Sequence, residues 1–502
     1  MSLIDFCAKT LTNFLSESQI NNSRRAEDTQ RNILTHLINI GEKTKYWQEK
    51  GIKNIRSYLD FKQQVPLVTY EDLVHYIDRI KQGEPNVLWL GKPTFLAKTS
   101  GTTGNVKYVP VTNDFVHNYT LGAKQTLCHY LKNLENKNFY AGKMMFLTGS
   151  PRLDEINGIL IGRLSGISNH LIPWYLKKKY IPSFETNCIE DWEEKISKIA
   201  QETIGQNITL LAGIPPWLQM YFDKVMELSG EKVGEVFKNL SVIIYGGMRF
   251  EPYKQRFFES IGRKVDMFET YATSEGYIAS QYSLRDNDML LMLDNDIFYE
   301  FVPVKNLEEE NPIRLKINEV SLNEEYAIII STTSGLWGYI LGDTVKFTSL
   351  DPFKIIITGR IKHFISVFGE HVTVEEIENA MAFALEKHPE TKIFEYTVAP
   401  HVGNNNEKLS YHEWFFEFIA QPKDINVFMA DLNSKMCEQN CYYKDLITGN
   451  VLQRLRITEL KRDCFNRYLK SVGKFGDQNK IQRVSNGRTF AEGLLTINGS
   501  FC

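Results

Sequence analysis

Between residues 240 and 276 the chain reads strand, helix, strand, and this succession narrows the folds open to it. LSVIIYGG (240–247) is a continuous apolar run ending in two glycines, the look of a buried strand. EPYKQRFFESIG (251–262) follows as a helix, with Pro252 near its start and Gly262 at its end. KVDMFETYATSEG (264–276) returns to a strand that runs into a turn. YAIIISTTSG (326–335), LGDTVKFTS (341–349) and KIIITGR (354–360) add further β-branched runs. Short strands alternating with helical stretches favour an α/β architecture.

The flanks fit around that centre. Residues 24–47 read as one amphipathic helix, with Ile33, Leu34, Leu37, Ile38 and Ile40 on one side, and 69–82 as another. Thr112 and Asn113 are good caps for a helix over about 114–133, with Asp114 in its first turn. After Arg360 the texture changes. Thr373 and Glu376 form a capping box, and Val374, Ile377, Met381 and Ala384 or Leu385 make one apolar stripe. Strands are expected at 393–402 and 412–420, and helix over 424–448. A chain of 502 residues exceeds one ordinary core. The expected division is 1–360 and a separate α+β unit at 361–502.

Composition excludes several function classes. Net charge is −3, which does not suit a polyanion partner such as nucleic acid. The basic triplet Lys177–Lys179 is short and reads as a solvated face. No apolar run approaches the ~18 residues of a membrane span, and the N-terminal stretch lacks the apolar core of a signal peptide. Seven scattered cysteines, an odd number, fit a reducing compartment better than a disulfide framework. Cys437 and Cys441 lie four apart on a probable helix, without a second ligand pair that would make a metal site. The expectation is a soluble, cytoplasmic, multidomain protein.

The chemistry concentrates first in LAKTSGTTGNVKYVPVT (96–112). Glycines let backbone N–H groups point into one concavity, and short hydroxyls add donors. A nucleotide's β- and γ-phosphates suit such a cradle. The spacing is not that of a Walker loop: from Gly101 the required second glycine falls on Val106, and Lys107 is followed by Tyr108. Taken alone, the turn is open to two readings, a phosphate grip or a plain surface loop.

Three further blocks follow in order. They are Gly246-Gly247, then Tyr271-Ala272-Thr273-Ser274-Glu275, then Gly342-Asp343 with Gly359-Arg360. TSGTTG with a following lysine, and these blocks at these spacings, resemble the adenylate-forming enzymes: acyl-CoA synthetases, adenylation domains and luciferases. The run from Thr44 to Trp89 resembles more narrowly the plant auxin-responsive acyl-acid amido synthetases and their bacterial relatives. So do AGIPPWL (212–218), YATSEGYIASQ (271–281), IFYEFVP (297–303), GRIKHFISVFGEHVTVEEIE (359–378) and GDQNKIQR (476–483). The likeness spans most of the chain.

That resemblance implies a large N-terminal adenylate-forming domain of β-sheets layered with helices, plus a smaller mobile α+β domain. It implies ATP, Mg²⁺, a small carboxylic acid and an amino acid acceptor. Thr99, Ser100, Gly101, Thr102, Thr103, Gly104 and Lys107 would hold the β/γ-phosphates. Gly246, Gly247 and Met248 would lie against adenine, and Tyr271, with Ala272 beside it, would stack on it. Thr273 or Ser274 would touch the α-phosphate, and Glu275 would ligate Mg²⁺. Asp343 would accept from the ribose hydroxyls, with Arg360 near ribose or phosphate and Lys362 at the hinge. Lys480 would be the mobile catalytic lysine. The helix over 114–133 and the turn with Trp217 would wall the acyl pocket. Relatives usually carry arginines where this chain has Gly338 and Ile340, and a proline where it has Gln482, which bears on the choice of acceptor. Coenzyme A as acceptor and a non-catalytic nucleotide-binding relative are the alternatives.

Overall fold

The structure, a computed structural model, describes residues 12, 16–100, 106–132, 134, 139–174, 176–247, 250, 254–307, 309–361, 364–365, 367–370, 372–403, 410–472, 481, 483–485 and 487–499. Eleven strands form the central sheet. Their order is Ile297–Pro303, Glu325–Thr332, Tyr339–Leu350, Phe353–Arg360, Met289–Leu291, Tyr277–Gln281, Asp266–Ala272, Val242–Gly246, Ile208–Gly213, Lys143–Phe146 and Tyr180–Ile181. The α/β reading holds, and the reason is visible in the pairing. The last five strands run parallel to one another, and every other neighbouring pair in the sheet is antiparallel.

Parallel strands need crossovers, and helices supply them. Trp192–Thr203, Pro215–Ser229 and Lys254–Ile261 cover one sheet face. Alternate residues of the strands beneath, among them Met145, Leu211 and Ile243, are fully buried there. The sheet changes from parallel to antiparallel at the turn 273–276, between Asp266–Ala272 and Tyr277–Gln281. A smaller sheet orders Val106–Val111, Phe95–Ser100, Ile159–Arg163 and Asp154–Ile156. Its first pair is antiparallel, from Phe95↔Val111 to Ser100↔Val106, so the glycine–threonine turn joins the two strands of a hairpin.

Beyond residue 370, Lys392–His401, Tyr411–Ala420 and Arg456–Leu460 form a three-stranded sheet. Val374–Lys387 and Ile425–Gln439 pack on it through their own core, which includes Ile377, Met381, Trp414, Phe416 and Leu432. The Thr373–Glu376 capping box forms. Two expected helices are each broken. The segment 24–47 contains Ala26–Gly41 and then Lys45–Lys50, because Thr44 turns out of the helix and its Oγ1 accepts from the Trp47 N–H at 3.4 Å. The segment 424–448 breaks at Asn440, whose Oδ1 accepts from Tyr443 N at 2.8 Å. Cys437 and Cys441 therefore stand on different helices. The five described cysteines are all free thiols. No helix among the described residues is long and apolar enough to cross a membrane.

The N-terminal helices are fastened to the antiparallel half by a buried ion pair. Arg314 meets Glu300 through two contacts, at 2.5 and 2.9 Å, with side chains 5% and 1% exposed. Arg314 also donates to Val65 O at 2.6 Å, and Tyr58 donates to Glu300 at 2.9 Å. Removing one partner strands the other charge. Arg314→Met should cost about 3–5 kcal/mol in urea unfolding, and adding Glu300→Leu should recover a large part. A double variant no more stable than the single one would refute this account.

Candidate active site

The turn at the parallel-to-antiparallel change opens into a cavity of about 1730 Å³. Ligand sites in α/β sheets lie in the crevice outside the carboxyl ends of the parallel strands, and the turn 273–276 follows the carboxyl end of the parallel strand Asp266–Ala272. Thr99, Lys107, Gly247, Tyr271, Ala272, Thr273, Ser274, Glu275 and Asp343 all line it. These come from four separate blocks of the chain. Val484, Ser485, Gly487 and Arg488, from the C-terminal part, line it as well.

Local chemistry explains the shape. Gly246 pairs with Thr270, and a Cβ on Gly246 would lie 2.3 Å from Thr270 O, so only glycine permits that rung. Gly247 has φ +81°, a conformation that disfavours other residues. Thr273 closes the next turn: its N–H donates to Gly276 O at 2.9 Å, and its Oγ1 accepts from Glu275 N at 3.2 Å. The turn holds Ser274 and Glu275 at the cavity wall. Tyr271 and Asp343, 72 residues apart, meet directly. The tyrosine hydroxyl donates to Asp343 Oδ2 at 2.6 Å, and each residue is 4% exposed.

Lys107 follows the hairpin. Its Nζ lies 3.7 Å from Glu71 and 5.0 Å from the Tyr70 ring centroid, so the helix Tyr70–Lys81 steadies it. Tyr70 is itself fixed, its hydroxyl accepting from Tyr108 N at 2.9 Å. Two cationic groups escaped the sequence reading because their partners are remote. Arg488 sits between Glu413 at 2.8 Å and Glu492 at 2.7 Å while lining the cavity. Lys195 is fully buried and donates to Thr148 O at 3.0 Å and Asn187 O at 2.8 Å, bracing the wall at Thr148.

Other expected residues fall elsewhere. Trp217 lies on Pro215–Ser229 and packs against Trp192, ring centroids 4.5 Å apart, in the core on the far side of the sheet. It is not brought to the cavity: the sheet separates them, and Leu210, Ala212 and Ile244 present the cavity side instead. Gly338 has φ +58°, and a Cβ there would lie 2.4 Å from Pro66 O. Ile340 joins Val302, Ala327 and Ile329 on the opposite strand face, while Tyr339, Leu341 and Asp343 line the cavity. An arginine at neither 338 nor 340 would share the cavity wall. Gly101, Thr102, Thr103, Gly104, Met248, Lys362 and Lys480 lie outside the described residues, as does Gln482. Ser100 and Arg360 end their strands, at the pairs Ser100↔Val106 and Asp343↔Arg360. No group of three or more His, Cys, Asp or Glu among the described residues could hold a metal by itself.

Three models of one family match the chain: the GH3 family N-terminal domain at 17–187, its central domain at 290–360 and its C-terminal domain at 375–489. Gly246, Gly247 and the 271–275 block fall between the first two matches. A jasmonoyl–L-amino acid synthetase, JAR4, of Nicotiana attenuata is 24% identical over 64% of this chain and 67% of its own length. The solved structure of the acyl acid amido synthetase AtGH3.15 in complex with 2,4-DB has a TM-score of 0.60 at 17% identity, covering 97% of this chain and 96% of that one. A 2-hydroxyisobutyryl-CoA ligase with 2-HIB-AMP and CoA, in its thioesterification state, scores 0.59 at 13% identity, over 94% and 92%.

Burial pulls the Lys195 amine down to about 8. Between about pH 8 and the usual lysine value, the unfolded chain binds the proton that the folded chain has lost. Stability therefore rises with pH in that window. Measured as a difference from Lys195→Met, which cannot titrate, the wild type should gain about 1.4 kcal/mol per pH unit between roughly 8 and 10. A flat difference in chemical denaturation would refute the shift.

Proposed function

The chain belongs to the GH3 family, and from that premise we propose that it activates a carboxylic acid with ATP and passes the acyl group to an amino acid. The observation that carries this reading is the single cavity in which Tyr271, the Thr273–Glu275 turn, Asp343 and Lys107 meet. Acyl-adenylate formation asks a carboxylate to attack the α-phosphorus in line with departing pyrophosphate. That is chiefly a matter of positioning and charge neutralisation. Thr99 and Lys107 lie where a hairpin can grip the leaving pyrophosphate, and Ser100, Gly101, Thr102, Thr103 and Gly104 complete that grip. Gly246 and Gly247 leave room for a flat base beside Tyr271, and Met248, next in the sequence, would contribute to the same site. Asp343 offers its carboxylate to the ribose hydroxyls, and the Tyr271 hydroxyl keeps it in place. Arg360 and Lys362 serve the same end of the nucleotide.

Glu275 belongs to no group of three or more potential metal ligands among the described residues, which suits Mg²⁺ held mainly by phosphate oxygens rather than by a protein cage. With Glu275 and the phosphates as ligands, the ion would neutralise phosphate charge. The second half-reaction needs an amine to reach the acyl carbonyl. A division into residues 1–360 and 361–502, with the smaller part moving between the two steps, provides that access. Lys480 in the adenylation position stabilises charge at the α-phosphate. The free thiols fit a cytoplasmic setting.

ATP–pyrophosphate exchange over a panel of acids, followed by product analysis with amino acids and with CoA, tests the reading. Amide products are expected; a CoA thioester without amide would replace the acceptor. Lys480→Ala should lower exchange on the order of 10²–10³-fold while ATP binding persists; unchanged exchange would remove its role. Asp343→Asn should raise the KM for ATP on the order of tenfold, since a hydrogen bond to a charged group contributes about 1.5–3 kcal/mol. An unchanged KM would remove Asp343 from the nucleotide site.

A further inference from the structure

The parallel strands have two unlike faces. On one, Met145, Leu211 and Ile243 are fully buried under helices. On the other, Met144, Phe146, Ala212 and Ile244 stay half-buried beside the fully buried Leu210, and all five line the cavity. Sheet register arranges them in rungs. Phe146, Ala212 and Ile244 share one rung, and Met144, Leu210 and Val242 the next. Both rungs lie below the line of Gly246 and Thr270 that adjoins the nucleotide residues. From Gly246 to Val242 the strand descends about 13 Å at the usual rise.

Leu127 and Leu131 of the helix Asn113–Lys132, also half-buried, face the same space. Phe146 is held flat by Tyr180, ring centroids 4.6 Å apart and 7° from parallel. Thr126, which precedes Leu127 on that helix, is answered within the protein: its Oγ1 meets Gly122 O at 3.0 Å and Tyr277 OH at 2.8 Å. Lys124 and Lys179 also line the cavity, and both are exposed residues. A folded chain ordinarily closes an apolar sheet face against something apolar. Here the two apolar walls close on each other only at the deep end, where Tyr130 and Phe139 pack with Leu210, Val242 and Phe268, and above it Leu127, Leu131, Met144, Phe146, Ala212 and Ile244 still border the cavity. The total volume also exceeds the 300–1,000 Å³ typical of one small-molecule site, which leaves room for an acyl group beside a nucleotide.

We infer that the acid this chain activates is a long, unfunctionalised aliphatic acid, its tail laid down the groove from Gly246 toward Met144 and Leu210. This rests on the adenylation reading above and specifies its substrate class. Acids with polar ring substituents would strand those groups against Leu210 and Ile244.

The test is an exchange series from acetate through hexanoate, decanoate and tetradecanoate, with indole-acetate and benzoate beside it. For the aliphatic acids kcat/KM should climb about fourfold per added methylene until the groove is filled, the increment expected for a buried CH₂. Ala212→Phe should move the optimum to shorter acids, and the milder Ala212→Val should move it less in the same direction. Thermal melts establish that both variants are folded. A flat series, a preference for the aromatic acids, or an optimum unmoved in both folded variants would overturn the inference while leaving adenylation intact. Exchange with none of the acids, despite ATP binding, would overturn the adenylation reading itself.

Discussion

The hydrogen bond between Tyr271 and Asp343 constrains more of this structure than any other single contact. Their strands are four steps apart in the sheet order. In a flat sheet those steps would separate them by about 19 Å at the usual strand spacing. The hydroxyl and carboxylate nevertheless meet at 2.6 Å. The sheet must therefore curl about this point. Its joint shows how: Met289–Leu291 is three residues long and pairs with Phe353–Arg360 only at Met289↔Ile355 and Leu290↔Lys354. The two halves are held together at that end. At the other end, where Asp343 pairs with Arg360, they are free to fold over and enclose the cavity.

The curl also settles what each strand face does. A central strand in a flat, doubly covered sheet buries both faces equally. Here the trough leaves part of one face of the parallel strands open: Met144, Phe146, Ala212 and Ile244 are apolar but half-buried, while Leu210, Val242 and Phe268 are covered by Tyr130 and Phe139. Glycine appears where the walls come closest. Gly122 faces Tyr277, where a Cβ would lie 2.7 Å from the ring, and Gly246 faces Thr270. Small residues at the pinch points and large apolar ones along the walls leave a shaped space in place of a collapsed core.

Much of this was legible in the chain's local patterns. Val242–Gly246, Asp266–Ala272, Glu325–Thr332 and Phe353–Arg360 are continuous apolar or β-branched runs bounded by glycine or turns, and each forms where the pattern places it. The blocks around 99–107, 271–275 and 343 were legible as short strings, because turn chemistry is local. What could not be read locally was which face of a strand or helix looks where. Trp217 sits in an apolar stretch beside a turn, and nothing nearby says that its helix lies behind the sheet. Arg488 and Lys195 look like surface residues until Glu413, Thr148 and Asn187 are brought to them by the fold. The break at Thr44 was missed because a capping threonine inside an apolar stripe competes weakly with the helical pattern in sequence.

The same rule of alternation bears on the two positions where arginines were expected. Tyr339, Leu341 and Asp343 share the face toward the cavity, so residue 340 belongs to the other. Gly338 precedes them at positive φ with Pro66 O where a Cβ would stand, and its N–H donates to Ser331 Oγ at 2.9 Å. An arginine there would have to change the backbone before it could offer a charge. Glycine and isoleucine at these two places thus follow from how the strand enters the sheet. The charged residues lining the cavity stand on other elements, among them Glu275 on the turn, Glu269 on the strand before it, Asp343 on the curled strand, Lys107 on the hairpin, Lys124 on the helix Asn113–Lys132 and Arg488 from the C-terminal part. The acceptor's chemistry has to be sought among those groups and the polar wall at Thr148, not in the absence of the arginines.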